Sequence, residues 1–401
     1  MVELIELDRR WLGICGDVLL IASRERAGFY IATSRGVYRL RPQVLSASGV
    51  SFDPMKWFEP GPLANFSIFS SLDEAVDYVA GIIGDKIRGK RIAVSFSGGK
   101  DSVALTAVLK EVCDRVGCEI YVIYIHMPFI EPRRFAEEAM RIGKKLGVDV
   151  VYGEPPRRLV KMYLVREGLP YRRARWCTYL KTRKLKNIAV NELGCDYIAV
   201  GDRIWENLKR FSRLAPVVIR RKLSVKKLLY PIAPATLCDV VNMATSLSAI
   251  HVAYREGCIR VSCLLCPYKS IVELSSYSID KELEDPGLVY SVLKMEWRRW
   301  YSDRGIEYSE FAEEALWRFV PSVAKLFLNV KKAVGREDSE YSCEDIRRGI
   351  AMFMTARRRC TRVSIDKVEQ IAKVLEALPD VPYIDIPRVA SANEDRKVEG
   401  C

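Results

Sequence analysis

The chain has 401 residues, with 64 Lys and Arg against 51 Asp and Glu, and a formal net charge of +13. Hydrophobic residues make up 49% and charged residues 29%, a globular balance that excludes wholesale disorder in a chain long enough for two or three domains. No uncharged apolar stretch approaches the ~18–20 residues of a membrane span, and the acidic opening lacks a signal-peptide pattern, so a cytoplasmic protein without membrane attachment is expected.

The first 70 residues read as a small β-rich module. Short β-like runs at 17–22, 28–33 and 36–40 alternate with Gly and polar residues, as in an antiparallel meander. Pro54, Pro60, Gly61 and Pro62 then mark a linker. An amphipathic helix is predicted at 71–83. From Lys90 strands alternate with helices: strands at 92–96, 120–125, 148–152 and 197–200, helices at 102–116, 133–146 and near 179–193. This alternation predicts an α/β fold with a Rossmann-like, doubly wound parallel sheet over 71–280, whose ligands bind beyond the strand C-termini.

Helical patterns at 288–301, 310–328 and 365–378 predict an all-helical C-terminal domain over 281–401, ending in a polar tail from Asp380. Within it, Trp297, Trp300 and Tyr301 beside Arg298 and Arg299 read as a core-facing aromatic stripe flanked by solvated arginines rather than as an RNA-stacking surface. No internal repeat is found.

The positive charge is concentrated. Residues 157–227 hold 20 Lys and Arg against 5 Asp and Glu, a net of +15 that leaves the remainder near −2. Self-repulsion on that scale opposes folding unless an anion relieves it, which points to a nucleotide, tRNA or another polyanion as partner. Only two Gln and two His accompany this charge, a composition that leans towards a thermophile.

The strongest local motif is Ser97-Gly98-Gly99-Lys100-Asp101-Ser102, lying between a predicted strand and its helix. The glycines allow a tight turn, backbone N–H groups at the helix start attract phosphate, and Lys100 adds a charge. Asp101 could hold Mg²⁺ or orient the nucleotide, and the Ser97 and Ser102 hydroxyls can donate to phosphate oxygens. The spacing is neither that of a Walker A loop nor that of a dinucleotide fingerprint. The motif resembles the pyrophosphate loop of the adenine-nucleotide α-hydrolase superfamily, which implies ATP as ligand and cleavage between its α and β phosphates.

Twelve cysteines in such a chain suggest metal binding, redox chemistry or plain burial rather than a disulfide framework. Cys263-Leu264-Leu265-Cys266-Pro267 is a C-x-x-C pair, Cys258 lies five residues before it, and Cys177 sits in Trp176-Cys177-Thr178. Gathered thiolates suit Zn²⁺ or an iron–sulfur centre. Cys113, Cys118, Cys195 and Cys238 lie in apolar runs and read as buried small hydrophobes.

Together with the glycine loop, Trp176-Cys177-Thr178 with Lys181, Gly201-x-Arg203-x-x-Glu206, Pro231-Ile232 with Asp239-Val240, and Tyr254-x-x-Gly257-x-x-Arg260-x-x-Cys263-x-x-Cys266-Pro267 resemble the phosphoadenosine phosphosulfate reductase family over roughly 90–270. The resemblance implies a [4Fe–4S] cluster on Cys177, Cys263 and Cys266. Thr178 replaces a second adjacent cysteine, which makes Cys258 the candidate fourth ligand; structural Zn²⁺ is the alternative. Arg203, at a strand end beside Gly201, would grip phosphate or sulfate in a bidentate fork.

Three activities follow. The first is an ATP-cleaving enzyme that adenylates an acceptor, such as tRNA, and delivers sulfur from a donor. The second is a reductase of adenylyl sulfates (PAPS or APS) that makes sulfite and draws on a thioredoxin-like reductant. The third is a non-catalytic nucleotide- or RNA-binding protein. The intact loop favours the first, with Lys100, Asp101 and Arg203 as catalytic residues. The chain ends Glu399-Gly400-Cys401, unlike the Glu-Cys-Gly-x-x-His-type tail that the reductases share.

Overall fold

The computed structural model describes residues 4–7, 10–15, 17–22, 27–41, 66–172, 174–335 and 338–370. The expected linker at 54–62, the tail from Asp380 and Cys401 lie outside the described residues. Near the N-terminus, β1 (Leu4–Leu7), β2 (Arg10–Cys15), β3 (Val18–Ala22), β4 (Ala27–Thr33) and β5 (Gly36–Arg39) form one antiparallel sheet in sequential order. The last three are the expected meander. The first two lie outside the expected runs: Glu6 interrupts the apolar run of β1, and Gly13 that of β2.

A short strand, β6 (Phe66–Ser67), leads into helix α1 (Leu72–Ile87). The Ser71 side chain caps this helix by accepting the Glu74 N–H, and Ala75, Val76, Val79, Ile83 and Ile87 form its buried stripe. The central sheet follows. Its parallel strands are β7 (Arg91–Phe96), β8 (Glu119–Ile125), β9 (Val150–Gly153), β10 (Tyr197–Ala199) and β12 (Leu228–Leu229), while β11 (Ser224–Val225) closes one edge antiparallel. The fold is therefore α/β with a parallel-dominated sheet.

The strand order β11-β12-β10-β7-β8-β9 steps outwards from β7 in both directions. The switch point lies between β7 and β10, where a crevice opens at the strand C-termini. The loops leaving both strands enter it: Ser97–Gly99 ahead of α2 (Lys100–Val116), and Gly201–Arg203 after β10. The helices α3 (Arg133–Lys145), α4 (Arg157–Glu167), α5 (Trp176–Lys186), α6 (Leu208–Ile219) and α7 (Leu237–Ser246) accompany the sheet.

The C-terminal helices are α8 (Pro286–Trp300), α9 (Pro321–Val334) and α10 (Cys343–Thr355). The single helix expected at 310–328 is instead split. Ala315 takes a left-handed φ of 48°, a 3₁₀ turn runs Leu316–Arg318, and Pro321 starts α9 in its first turn, where its missing N–H does no harm. Residues 365–370 are helical, and the rest of the helix expected at 365–378 lies outside the described residues. One continuous apolar cluster runs from Leu19 through the central sheet to Val368.

The buried Asp17–Arg318 ion pair joins the N-terminal sheet to the 3₁₀ turn, and Val37 N–H donates to the Tyr341 carbonyl. No helix among the described residues is long and apolar enough to cross a membrane.

Three cysteines expected to be plain buried hydrophobes form disulfides. Cys113 pairs with Cys118, and Cys238 pairs with Cys360. The first pairing follows from the end of α2: Gly117 at φ 75° turns the chain back, so that Cys118 N–H bonds the Cys113 carbonyl. The second brings together residues 122 positions apart, because the Asn242 side chain bonds the Arg358 backbone at both its N–H and its carbonyl. Cys195 is buried as a free thiol.

Candidate active site

The glycine loop is tightly enclosed by its neighbours. Gly98 has φ 72°, and a Cβ there would meet His251 Cδ2 at 3.0 Å and the Ala139 Cα at 3.2 Å. Three loop N–H groups point at hydroxyl oxygens: Ser97 at Ser102 Oγ (3.1 Å), Gly99 at Ser97 Oγ (3.3 Å) and Lys100 at Tyr254 Oη (2.9 Å). Hydroxyl oxygens are the kind of acceptor that a phosphate oxygen can replace. Ser102 Oγ in turn donates to the Gly99 carbonyl at 2.9 Å.

Lys100, Asp101 and Arg203 meet at the crevice. Asp101 accepts from Lys100 Nζ at 3.0 Å and from Arg203 Nε at 2.6 Å, one carboxylate oxygen to each. Lys100 is 5% and Arg203 0% exposed. Burial opposes ionisation of Asp101, but the two cations prevail and hold its carboxyl well below the usual range. Gly201 permits the approach, since a Cβ there would meet the Asp101 carbonyl carbon at 3.3 Å.

Further guanidinium groups crowd this end of the sheet. Arg210 pairs with Glu206 and Asp202, and Arg213 also pairs with Asp202. Burial, opposed by Asp202 and Asp101 but reinforced by Arg260 and Arg203, lowers the Arg210 pKa. Such crowding is relieved by an incoming anion.

A second cluster lies beyond β8. The thiols of Cys177, Cys263 and Cys266 act on one another electrostatically. Burial pushes the thiols of Cys177 and Cys263 up, and the Lys181 ammonium beside them pulls in the opposite direction. Lys181 Nζ donates to Glu131 Oε2 at 2.8 Å. Burial disfavours that ammonium, yet Cys263 and Glu131 keep it charged.

Cys258 faces elsewhere. Its fully buried sulfur lies 3.0 Å from both Lys269 Nζ and Tyr277 Oη. The structure thus leaves Cys177, Cys263 and Cys266 within electrostatic range of one another and engages Cys258 with a lysine and a tyrosine. Among the described residues, no three His, Cys, Asp or Glu side chains are gathered closely enough to hold a single metal ion. Three thiols beside the half-buried Lys181 ammonium are of the donor chemistry that an iron–sulfur centre takes.

Residues 91–269 match the family described as "Phosphoadenosine phosphosulfate reductase domain". They form a domain of that family. None of the curated proteins matches the chain. Among solved structures, the U34-tRNA thiolase NcsA from Methanococcus maripaludis with its [4Fe–4S] cluster aligns at a TM-score of 0.35 and 19% identity, covering 57% of this chain and 78% of that one.

Two residues of the reductase-family domain were missed in the sequence. His126 and Glu131 follow the C-terminus of β8 and are both buried. Glu131 Oε1 accepts from the Tyr124 hydroxyl at 3.0 Å and Oε2 from the Met127 N–H at 2.7 Å, in addition to Lys181. Burial opposes ionisation of Glu131, but Lys181 and His126 lower its pKa. Burial lowers the pKa of His126. Their place at a strand C-terminus was the available signal.

The basic segment divides on folding. Arg203 and Lys181 turn inwards, whereas Arg158, Lys161 and Arg166 on α4 and Arg183 and Lys186 on α5 are exposed. The exposed Met162, Val165 and Tyr179 lie among them.

Proposed function

We propose that this chain is an ATP-dependent sulfur-transfer enzyme acting on RNA. The observation that carries the reading is the intact Ser97–Ser102 cradle, joined to Arg203 through Asp101 at the switch point of the sheet. The loop N–H groups would take the ATP phosphates, accompanied by Mg²⁺, and Lys100 and Arg203 would balance charge on the departing pyrophosphate. Asp101 orients both cations. An oxygen of the acceptor attacks the α-phosphorus, pyrophosphate leaves, and sulfur from a donor then displaces AMP.

Cys177, Cys263 and Cys266 are the residues that would hold a [4Fe–4S] cluster. When bound, such a cluster supplies iron that can carry sulfur. Glu131 anchors the Lys181 ammonium near these thiols, where it favours their thiolate form. The exposed basic and aromatic faces of α4 and α5 suit tRNA phosphates and bases.

The test is anaerobic incubation with ATP plus bulk tRNA, and separately with adenylyl sulfates. Pyrophosphate release that is lost in Lys100→Ala and Asp101→Ala supports the reading. Release unchanged in both variants overturns it. Sulfite from adenylyl sulfates would make the chain a sulfonucleotide reductase. Anaerobically purified protein should be brown, with about four irons per chain; a colourless protein with stoichiometric zinc would replace the cluster.

A further inference from the structure

One residue before Cys177, Trp176 forms part of the wall of a cavity of about 390 Å³ that the proposed chemistry does not use. Its lining comes from α4, the segment leading into α5, and the end of α8, and includes Tyr163, Tyr171, Trp176, Trp300 and Glu296. A volume near the lower end of the ~300–1,000 Å³ range of ligand pockets suits one planar group and its sugar rather than a stack of several.

The wall is flat and preset. The rings of Tyr163 and Trp176 stack with centroids 5.4 Å apart and planes 18° from parallel. The Trp176 indole is fixed by its N–H bond to the Gly168 carbonyl at 3.1 Å. Tyr163, Tyr171 and Trp300 are only half-buried, so these rings keep accessible surface. Glu296 is 3% exposed and its Oε2 accepts from the Leu169 N–H at 3.0 Å.

This carboxylate is engaged by the chain itself, and the aromatic rings supply the surface that a ligand would meet. The exposed rim is mixed but carries more cations than anions: Arg175 lines the opening with its guanidinium over the Tyr268 ring at 4.9 Å, and the exposed Glu167 lines it too, paired with Arg166 at 3.0 Å. Lys161 and Arg166 are exposed on the same helix as Tyr163. Cations in excess at the rim and half-buried rings within suit a nucleotide that enters base first.

We propose that this cavity receives one nucleobase of the RNA, turned out of its stack and held against the Tyr163–Trp176 wall. The inference rests on the proposed RNA substrate and names a subsite for it. Unstacking a base costs a few kcal/mol, least in a single-stranded loop, so the subsite selects RNA with an exposed loop base.

Stacking and phosphate contacts differ in their response to salt, and the test uses that difference. Binding of bulk tRNA to the full-length protein is measured over a range of KCl concentrations. Tyr163→Ala and Trp300→Ala should each weaken binding about tenfold at every salt concentration, with the slope of log K against log salt unchanged. Tyr163→Phe, which keeps the ring, should bind as the wild type does. Lys161→Ala should instead reduce the slope by roughly 0.7–0.9.

If Tyr163→Ala and Trp300→Ala bind like the wild type while Lys161→Ala changes the slope, the cavity proposal fails and the RNA reading stands. If wild-type protein binds no tRNA even at low salt, both fail. Thermal melting checks that each variant is folded. Should Trp300→Ala not fold, the Tyr163→Ala and Tyr163→Phe pair decides the matter alone.

Discussion

Replacing Asp17 with Asn tests how the N-terminal sheet is attached. Arg318 is 0% and Asp17 3% exposed. All five guanidinium N–H groups find acceptors. Nη1 and Nη2 donate to the two Asp17 oxygens at 2.9 and 2.8 Å, and also to the Lys269 and Glu314 carbonyls at 2.8 and 2.9 Å. Nε donates to the Ala315 carbonyl at 2.9 Å. Asp17 also accepts the Ile271 N–H at 2.7 Å.

Asp17→Asn keeps the shape but removes the charge and sets an amide NH₂ against a guanidinium donor. The buried cation then lacks its counter-charge, a loss worth about 3–5 kcal/mol. Urea unfolding followed by circular dichroism should show a destabilisation of that size. The double variant Asp17→Leu/Arg318→Met should lose much less than the two single changes together, because no unpaired charge remains. A single variant within about 1 kcal/mol of wild type would refute the reasoning. Lys269, whose carbonyl Arg318 holds, also contacts Cys258, so Asp17→Asn should expose Cys258 to thiol reagents sooner.

Gly98→Ala combines a left-handed φ with a Cβ driven against His251 and the Ala139 backbone, and should cost about 1–3 kcal/mol and abolish ATP binding, measured by calorimetry. His251 makes acid sensitivity testable. Burial lowers its pKa to about 4 from 6.5, so below pH 6.5 the unfolded chain takes up a proton that the folded chain refuses. Stability from this residue is complete above pH 6.5 and is lost as pH falls towards 4, by about 2–3 kcal/mol. His251→Asn, which can still accept the Ala253 N–H, should flatten that part of the pH–stability curve; an unchanged slope would show that His251 is not its source.

The covalent links put a limit on reading cysteines from sequence. Cys113 and Cys118 are five residues apart, and the apolar surroundings that suggested burial were real: Cys113 is 3% exposed. Their pairing depends on the backbone conformation of Gly117. Cys258 shows the same limit, since its spacing to Cys263 suits a shared centre, yet its thiol is turned towards Lys269 and Tyr277.

The sequence by itself determined the α/β class, the central alternation of strands and helices, the glycine loop between strand and helix, and the concentration of positive charge. Each is local: periodicity, turn chemistry and composition act within a few residues of one another. Tertiary structure alone decided that Arg203 reaches Asp101 across the switch point, and that Glu131 anchors Lys181 beside three thiols. It also decided that the basic segment splits into the buried Arg203, the half-buried Lys181 and an exposed face. The aromatic run at 297–301 divides likewise: Tyr301 and Trp300 both line the cavity, the first buried and the second half-buried. These outcomes depend on packing between residues tens to hundreds of positions apart. Burial there changes the cost of every charge, and no short window of sequence records which charges will meet.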